Sequence, residues 1–285
     1  MNFIDLHTHT TASDGSFPPG RIVEMALDAG LKAVGVTDHD TTDGLDEALA
    51  RGAEIGLEVV PGVEISAEFE SGTMHVLGYY MDFRNHDFKE RLTALQEGRS
   101  DRNPNIVRKL NELGLNLTME DVTAEAGGGQ IGRPHFARAM IRKGFVATTN
   151  EAFDLYLAKG RPAYVDKFRF FPVEAVKMIL QAGGLPVLAH PGTLKMSPEG
   201  LESVVAGLKE AGLVGIEACY SDHTPEMVKE YMRLAERFHL VPTGGSDFHG
   251  ESKKEISLGK GRGDLAVPLE FLHRLKDRRD RKSVV

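Results

Sequence analysis

The sequence predicts an α/β protein with a largely parallel sheet, interrupted once by an all-helical insertion. Three observations carry this expectation. Seven short apolar, β-branched segments recur along the chain, and helical periodicity with plausible caps fills most gaps between them. Between about 83 and 165 the strand signals stop while the helical signals continue.

In chain order, the first strand is FIDLH (3–7). A helix follows, with Ile22, Met25, Ala26 and Ala29 on one stripe and Gly30 ending it. AVGVTDH (33–39), EVVPGVEIS (58–66) and MHVLGYY (74–80) are the next strands. The last two, joined by the short ESGT turn (70–73), could equally form a local hairpin. Helices are then expected at 87–102, 105–113, 118–126, 134–143 and 150–157, with Pro104 breaking or restarting the first and GGG (127–129) in a loop. Strands resume with PVLAH (186–190), GIEACY (215–220) and VPTGGSDFH (241–249). Thr224 and Pro225 cap and open a helix reaching about Phe238. The mixed-charge run KDRRDRK (276–282) reads as a solvated tail. The expected division is a metal-binding unit from 1–82 and 166–285, with 83–165 inserted between strands four and five.

Composition excludes several classes. No apolar stretch approaches membrane-span length, and no secretory leader is evident. Cys219 is the single cysteine, so neither a disulfide framework nor a thiolate zinc site is expected, and the cytoplasm is the expected compartment. A net charge of −8 argues against a duplex DNA partner, while leaving room for a small anionic substrate held by local positive charge.

The polar residues within the strands carry the chemistry. In DLHTHTTASDG (5–15), His7 and His9 are two apart, so a strand turns both imidazoles to one side. Asp38 and His39 end the second strand, Glu64 lies late in the third and His75 is in the fourth. His190 ends the fifth, and Asp247 and His249 end the seventh. So many ionisable groups at strand ends would be costly to bury without a metal. Nitrogen and oxygen donors without thiolate suit manganese, zinc or iron(II). The donors are too many for one ion, so two or three divalent ions are expected, with Glu64 the natural bridge. The chemistry implied is metal-assisted hydrolysis at a phosphoryl centre.

The set HTH, TDHD, GVE, His75, AHPG and GSDFH, in that order, resembles the PHP superfamily, named for polymerase and histidinol phosphatase. The resemblance implies a distorted (β/α)7 barrel holding up to three divalent metals. It implies a first site of His7, His9, Glu64 and Asp247, a second of Glu64, His75 and His190, and a third of Asp14, His39 and His249. Several relatives carry histidine near the position of Asp14. His190, Asp247 and His249 are also the groups that could help transfer protons.

The insertion should carry substrate choice. Arg99 and Arg102 lie one helical turn apart in GRSDRN, beside Asn103. In IGRPHF (131–136), Arg133 precedes Pro134 at a helix start, followed by His135, which makes a ready anion site. The stretch RPHFAR (133–138) resembles the 3′,5′-nucleoside bisphosphate phosphatase subfamily, in which the insertion is thought to grip the phosphate that is not cleaved. The expected activity is removal of the 3′-phosphate from such a nucleotide. The alternatives are 5′-3′ exoribonuclease action on short oligonucleotides or histidinol-phosphate phosphatase, with an amidohydrolase or a non-catalytic module further off. Lys167, Arg169 and Lys195 could also reach a phosphate, though nothing in their spacing requires it. His223 is near the same face; His86, His239 and His273 read as surface residues.

Overall fold

The computed structural model describes residues 3–69 and 74–282. β1 (Phe3–Thr8), β2 (Ala33–Val36) and β3 (Glu58–Ala67) run parallel, with α1 (Pro19–Asp28) and α2 (Leu45–Ile55) as crossovers. β4 (Met74–Tyr79) returns antiparallel to β3, pairing His75 with Ser66, so the hairpin alternative is the one observed. The ESGT turn at 70–73 lies outside the described residues. β4 is also antiparallel to β5 (Leu185–Leu188), after which β5, β6 (Gly215–Tyr220) and β7 (Val241–Gly245) are parallel. A two-residue strand absent from the sequence reading, β8 (Val267–Pro268), pairs antiparallel with the start of β1. The sheet order is β7-β6-β5-β4-β3-β2-β1-β8.

The chain beyond β7 then returns to β1. The Asp247 N–H donates to the His7 carbonyl and the His9 N–H to the Phe248 carbonyl, each at 2.9 Å. The result is an eight-stranded, nearly closed mixed barrel where seven strands were expected. Closure demands intimate contact at this seam: a Cβ on Gly245 would sit 2.4 Å from the His7 backbone nitrogen. Because β4 alone among the seven long strands runs backwards, its first residues, including His75, reach the end of the barrel where its neighbours finish.

Alternating strand residues feed two cores. Val34, Val36, Val63, Ile65 and Val76 meet the surrounding helices. Ile4, Leu6, Leu77, Val187 and Val241 fill the inside of the sheet. There they meet Phe271, Leu272 and Leu275 of a C-terminal helix spanning Leu269–Lys282. The run 276–281 is exposed or half-buried, solvated as expected, but it is helix and not a loose tail. Apolar residues at the preceding turns make it the end of an amphipathic helix, and Lys276 pairs with Glu58.

Between β4 and β5 the chain is helical, as expected: α3 (His86–Glu112), α4 (Met119–Ala126), α5 (Arg133–Arg142), α6 (Thr149–Ala152) continuing as a π-turn through Phe153–Leu157, and α7 (Pro172–Gln181). The expected break at Pro104 does not occur; α3 runs through it as one helix. Proline loses its N–H bond and crowds the carbonyl one turn back, but burial on both sides of it holds the helix. Phe88, Leu92 and Leu95 sit in the core between sheet and helices, whereas Ile106 and Leu110 join a separate cluster with Leu117, Phe136 and Met140. At 27 residues α3 is about 40 Å long, enough to run from the far end of the barrel past the opposite face. α8 (Pro198–Glu210) and α9 (Pro225–Arg237) complete the crossovers, and the C-terminal helix is α10.

Candidate metal centre

Six imidazoles converge on the ends of the strands. Glu64, fully buried on β3, faces most of them. Its Oε2 lies 3.2 Å from both His7 Nε2 and His9 Nε2, and 3.0 Å from His39 Nδ1. Its Oε1 lies 2.7 Å from His75 Nδ1 and 2.8 Å from His190 Nε2. Asp247 Oδ1 completes the first expected set, 3.1 Å from His9 Nε2. Asp14 Oδ1 stands 3.2 Å from His249 Nε2, and its Oδ2 4.0 Å from His39 Nε2.

The donors fall into three groups, each with its atoms within 4.8 Å of one another: His7, His9, Glu64 and Asp247; His39, Glu64 and His75; and His9, Asp14, His39 and His249. The structure thus brings all nine expected residues together, with His39 reaching both toward Glu64 and toward Asp14. His190, expected with His75, is 3.4 Å from it.

Unsatisfied atoms test whether this arrangement fits metal. His7 Nε2, His9 Nε2, His39 Nδ1 and Glu64 Oε2 are buried and make no hydrogen bond, although they approach within about 3 Å of one another. Lone pairs aimed at a common centre produce such a pattern, and a divalent cation satisfies them together. Electrostatics agree. Burial opposes charge on Glu64, yet His75, His39 and His7 hold its carboxyl well below the usual range. Burial likewise opposes a proton on His9, but Asp247 and Glu64 push it up to about 9. The carboxylates therefore create a demand for positive charge that protons meet when no cation does.

Several positioning groups escaped the sequence reading. Glu217 of β6 accepts from His7 Nδ1 at 3.0 Å and from the His190 backbone N–H at 2.7 Å, fixing which nitrogen of His7 faces the centre. Tyr220 Oη and Lys253 Nζ both donate to Asp247 Oδ2. Asp38, counted with the strand-end carboxylates, instead accepts from Thr10 N, Thr10 Oγ1 and Ser13 Oγ, shaping the loop that carries His9 and Asp14. Asp40, His190 and Asp247 all take positive φ, at 54°, 22° and 56°, two to four residues beyond β2, β5 and β7. Backbone of this kind costs about 1–3 kcal/mol per residue and concentrates at functional sites.

A cavity of about 660 Å³ opens over the centre. Asp14, His39 and His75 form its floor, and Arg99, Arg102, Arg133, Lys167, Arg169 and Lys195 line its walls. Arg99 and Lys167 converge on the buried carboxylate of Asp40, at 2.6 and 2.9 Å, which ties the helical segment to the end of β2. The Arg102 guanidinium donates to Asn103 Oδ1. Burial and then Arg99, Arg133 and Arg169 push its pKa well below normal. An arginine keeps its proton, so this direction measures how strongly the spot calls for an anion. Asn103 and His135 do not line the cavity: Asn103 holds Arg102 and the Ile131 carbonyl, and His135 Nδ1 accepts from the Gly132 N–H. His223 Nδ1 donates to the Ala218 carbonyl beside Tyr220 and Tyr231 and is also off the cavity wall.

Comparison with known proteins gives concordant results. Residues 5–157 match the PHP domain. The chain is 33% identical over 247 residues to the 5′-3′ exoribonuclease Rnm of Salmonella typhimurium, covering 86% of this chain and 84% of that one. It is 32% identical over 259 residues to the 3′,5′-nucleoside bisphosphate phosphatase of Chromobacterium violaceum, covering 90% and 91%. The solved structure of a candidate metal-dependent phosphoesterase from Bifidobacterium adolescentis superposes with a TM-score of 0.88 at 30% identity, over 97% of this chain and 96% of that one.

Proposed function

The chain belongs to the PHP domain family and is a metal-dependent phosphoesterase, and from that premise we propose that it removes the 3′-phosphate from nucleoside 3′,5′-bisphosphates. The carrying observation is one cavity with two ends that call for anions. The histidine–carboxylate centre is its floor, and after Lys167 pairs with Asp40 and Arg169 with Glu68 and Asp166, Arg102 and Arg133 still give the wall an excess of positive charge. A small molecule with two separated phosphates answers both demands; a monophosphate answers one.

His7, His9, Glu64 and Asp247, with His75, His190, Asp14, His39 and His249, would hold two or three ions, for which manganese is our preferred choice. When bound, these ions neutralise the phosphoryl oxygens and activate water. Arg102 and Arg133 would clamp the 5′-phosphate, so that binding energy remote from the reaction positions the 3′-phosphate over the floor. Glu217 holds the His7 ring in place throughout, and Tyr220 and Lys253 keep Asp247 oriented. His190, Asp247 and His249 would be the groups that pass a proton to the departing 3′-oxygen. The same wall would hold the 5′-phosphate of a short oligoribonucleotide. That second reading is supported by the equal likeness to an exoribonuclease.

The test is phosphate release from adenosine 3′,5′-bisphosphate by the manganese-loaded protein, beside AMP and histidinol phosphate. The bisphosphate should be preferred. Arg102→Ala should lower its kcat/KM by about ten- to a hundredfold, as loss of a charged hydrogen bond to phosphate implies. Equal turnover of AMP and the bisphosphate would refute the two-anion reading.

A further inference from the structure

Asp40 is buried, directly follows His39 of the metal centre, and takes a left-handed backbone with φ of 54°. That turn aims its N–H at the Glu64 carbonyl, 2.9 Å away, while the Glu64 N–H donates to the Asp38 carbonyl at 3.1 Å. The side chain continues the attachment along β3. Its Oδ1 accepts from the Ser66 N–H at 2.7 Å and its Oδ2 from Ser66 Oγ at 3.0 Å.

The remaining partners come from the helical segment and from the chain that leaves it. Oδ2 also accepts from Arg99 Nε and Nη2, at 3.1 and 2.6 Å, and from Lys167 Nζ at 2.9 Å. The Asp40 carbonyl accepts from Gln96 Nε2 at 3.0 Å, one turn before Arg99 on α3. One turn after it, Arg102 reaches the cavity wall. Strained backbone persists where the surroundings over-determine it, as these partners do. Floor and wall of the first cavity are thus attached to one residue.

We propose that Asp40 couples the two ends of this cavity, so that a 5′-phosphate held by the wall tightens metal binding at the floor, and the reverse. The coupling rests on the two-phosphate reading above and adds a link between its two sites. A ligand shifts an equilibrium only between states that it distinguishes. Phosphate on Arg102 and Arg133 favours the state in which α3 is seated on the barrel. Metal favours the state in which His39 and Glu64 are aligned. The bonds to Asp40 make these one state, and linkage then makes the effect reciprocal. A substrate without the remote phosphate meets a looser centre.

Charge alone offers another route, since an anion on the wall offsets repulsion between the ions and the cations Arg99 and Lys167. Asp40→Asn separates the two routes. Its amide has one acceptor oxygen, which cannot serve both the Ser66 N–H and the pair Arg99 and Lys167. Coupling through Asp40 should then vanish. Coupling through space should grow, because both cations lose their counter-charge.

The experiment titrates manganese calorimetrically into the metal-free full chain, with and without saturating AMP, which carries only a 5′-phosphate; adenosine is the control. In the unaltered protein AMP should tighten manganese binding about fivefold or more, and adenosine should not. In Asp40→Asn, shown by melting to be folded, the AMP effect should fall below about twofold although AMP still binds. Arg99→Gln leaves Asp40 charged and paired with Lys167; it should weaken the effect in the same direction and serves if Asp40→Asn does not fold. An AMP effect kept or enlarged in the variants overturns the proposal, in favour of charge alone or of AMP lying on the ions. No AMP effect in the unaltered protein overturns the coupling and leaves the phosphatase reading standing. Failure of AMP to bind, with manganese or without, overturns both.

Discussion

Glu64 shows why single residues matter here: two oxygens face five imidazoles, and no other described carboxylate is so placed. The groups behind the donors are as consequential as the donors. Glu217→Gln keeps the shape but loses one acceptor, so His7 Nδ1 and the His190 N–H can no longer both be satisfied. Manganese affinity, measured by calorimetric titration, should fall about ten- to a hundredfold. Lys167 gives a pH signature. Burial, then Arg99, pushes it down to about 7, with Asp40 opposing. Its charge is therefore present below about pH 7 and lost above it. The KM for a doubly phosphorylated substrate should rise as pH passes upward through 7, and Lys167→Met should flatten that rise. The donors themselves were legible because histidines and carboxylates at the ends of apolar strands are conspicuous. Glu217 bears the same mark, a lone acid in GIEACY, but sits beside no histidine in sequence. The Asp40–Lys167 pair joins residues 127 positions apart, which no local pattern reveals.

At the scale of elements, α3 and the GGG loop decide how the helical segment meets the barrel. α3 anchors Leu92 and Leu95 between sheet and helices and carries Arg99 and Arg102 to the open face. The helical pattern on either side of Pro104 was readable, but its continuity through Pro104 was not, because tertiary burial outweighs the local cost of the proline. The glycines at 127–129 read only as a loop, yet a Cβ on Gly129 would fall 1.8 Å from the Thr11 carbonyl oxygen. That close approach lets the Gln130 N–H donate to the Ala12 carbonyl, in the loop between His9 and Asp14. Gly129→Ala should therefore act on both neighbours, lowering stability by about 1–3 kcal/mol and activity with it. Thermal melting and kcat/KM together check this, and an unaltered melting curve would remove the close-approach argument. The reversed β4 was an open alternative in the sequence and β8 was invisible, since two residues give no periodicity.

For the whole molecule, the weak line is the junction of β1 with β7. β8 covers the first residues of β1, and beyond them two backbone hydrogen bonds and a bridge between Thr8 and Phe248 join the ends. His7 and His9 stand on one side of that line and Asp247 on the other, with donor atoms converging across it. Removing metal with a chelator should lower the melting temperature more than loss of a surface ion would, because binding stabilises only the closed form. Amide exchange at His9 and Asp247 should quicken first. The ions are then also a clasp on a sheet that would otherwise offer the β7 edge, and the part of β1 that β8 leaves uncovered, to its neighbours. Cells short of metal should accumulate this protein as sticky, self-associating material as well as inactive enzyme. Light scattering of the chelated protein should rise with time and concentration, and should stay flat when manganese is restored before the edges meet.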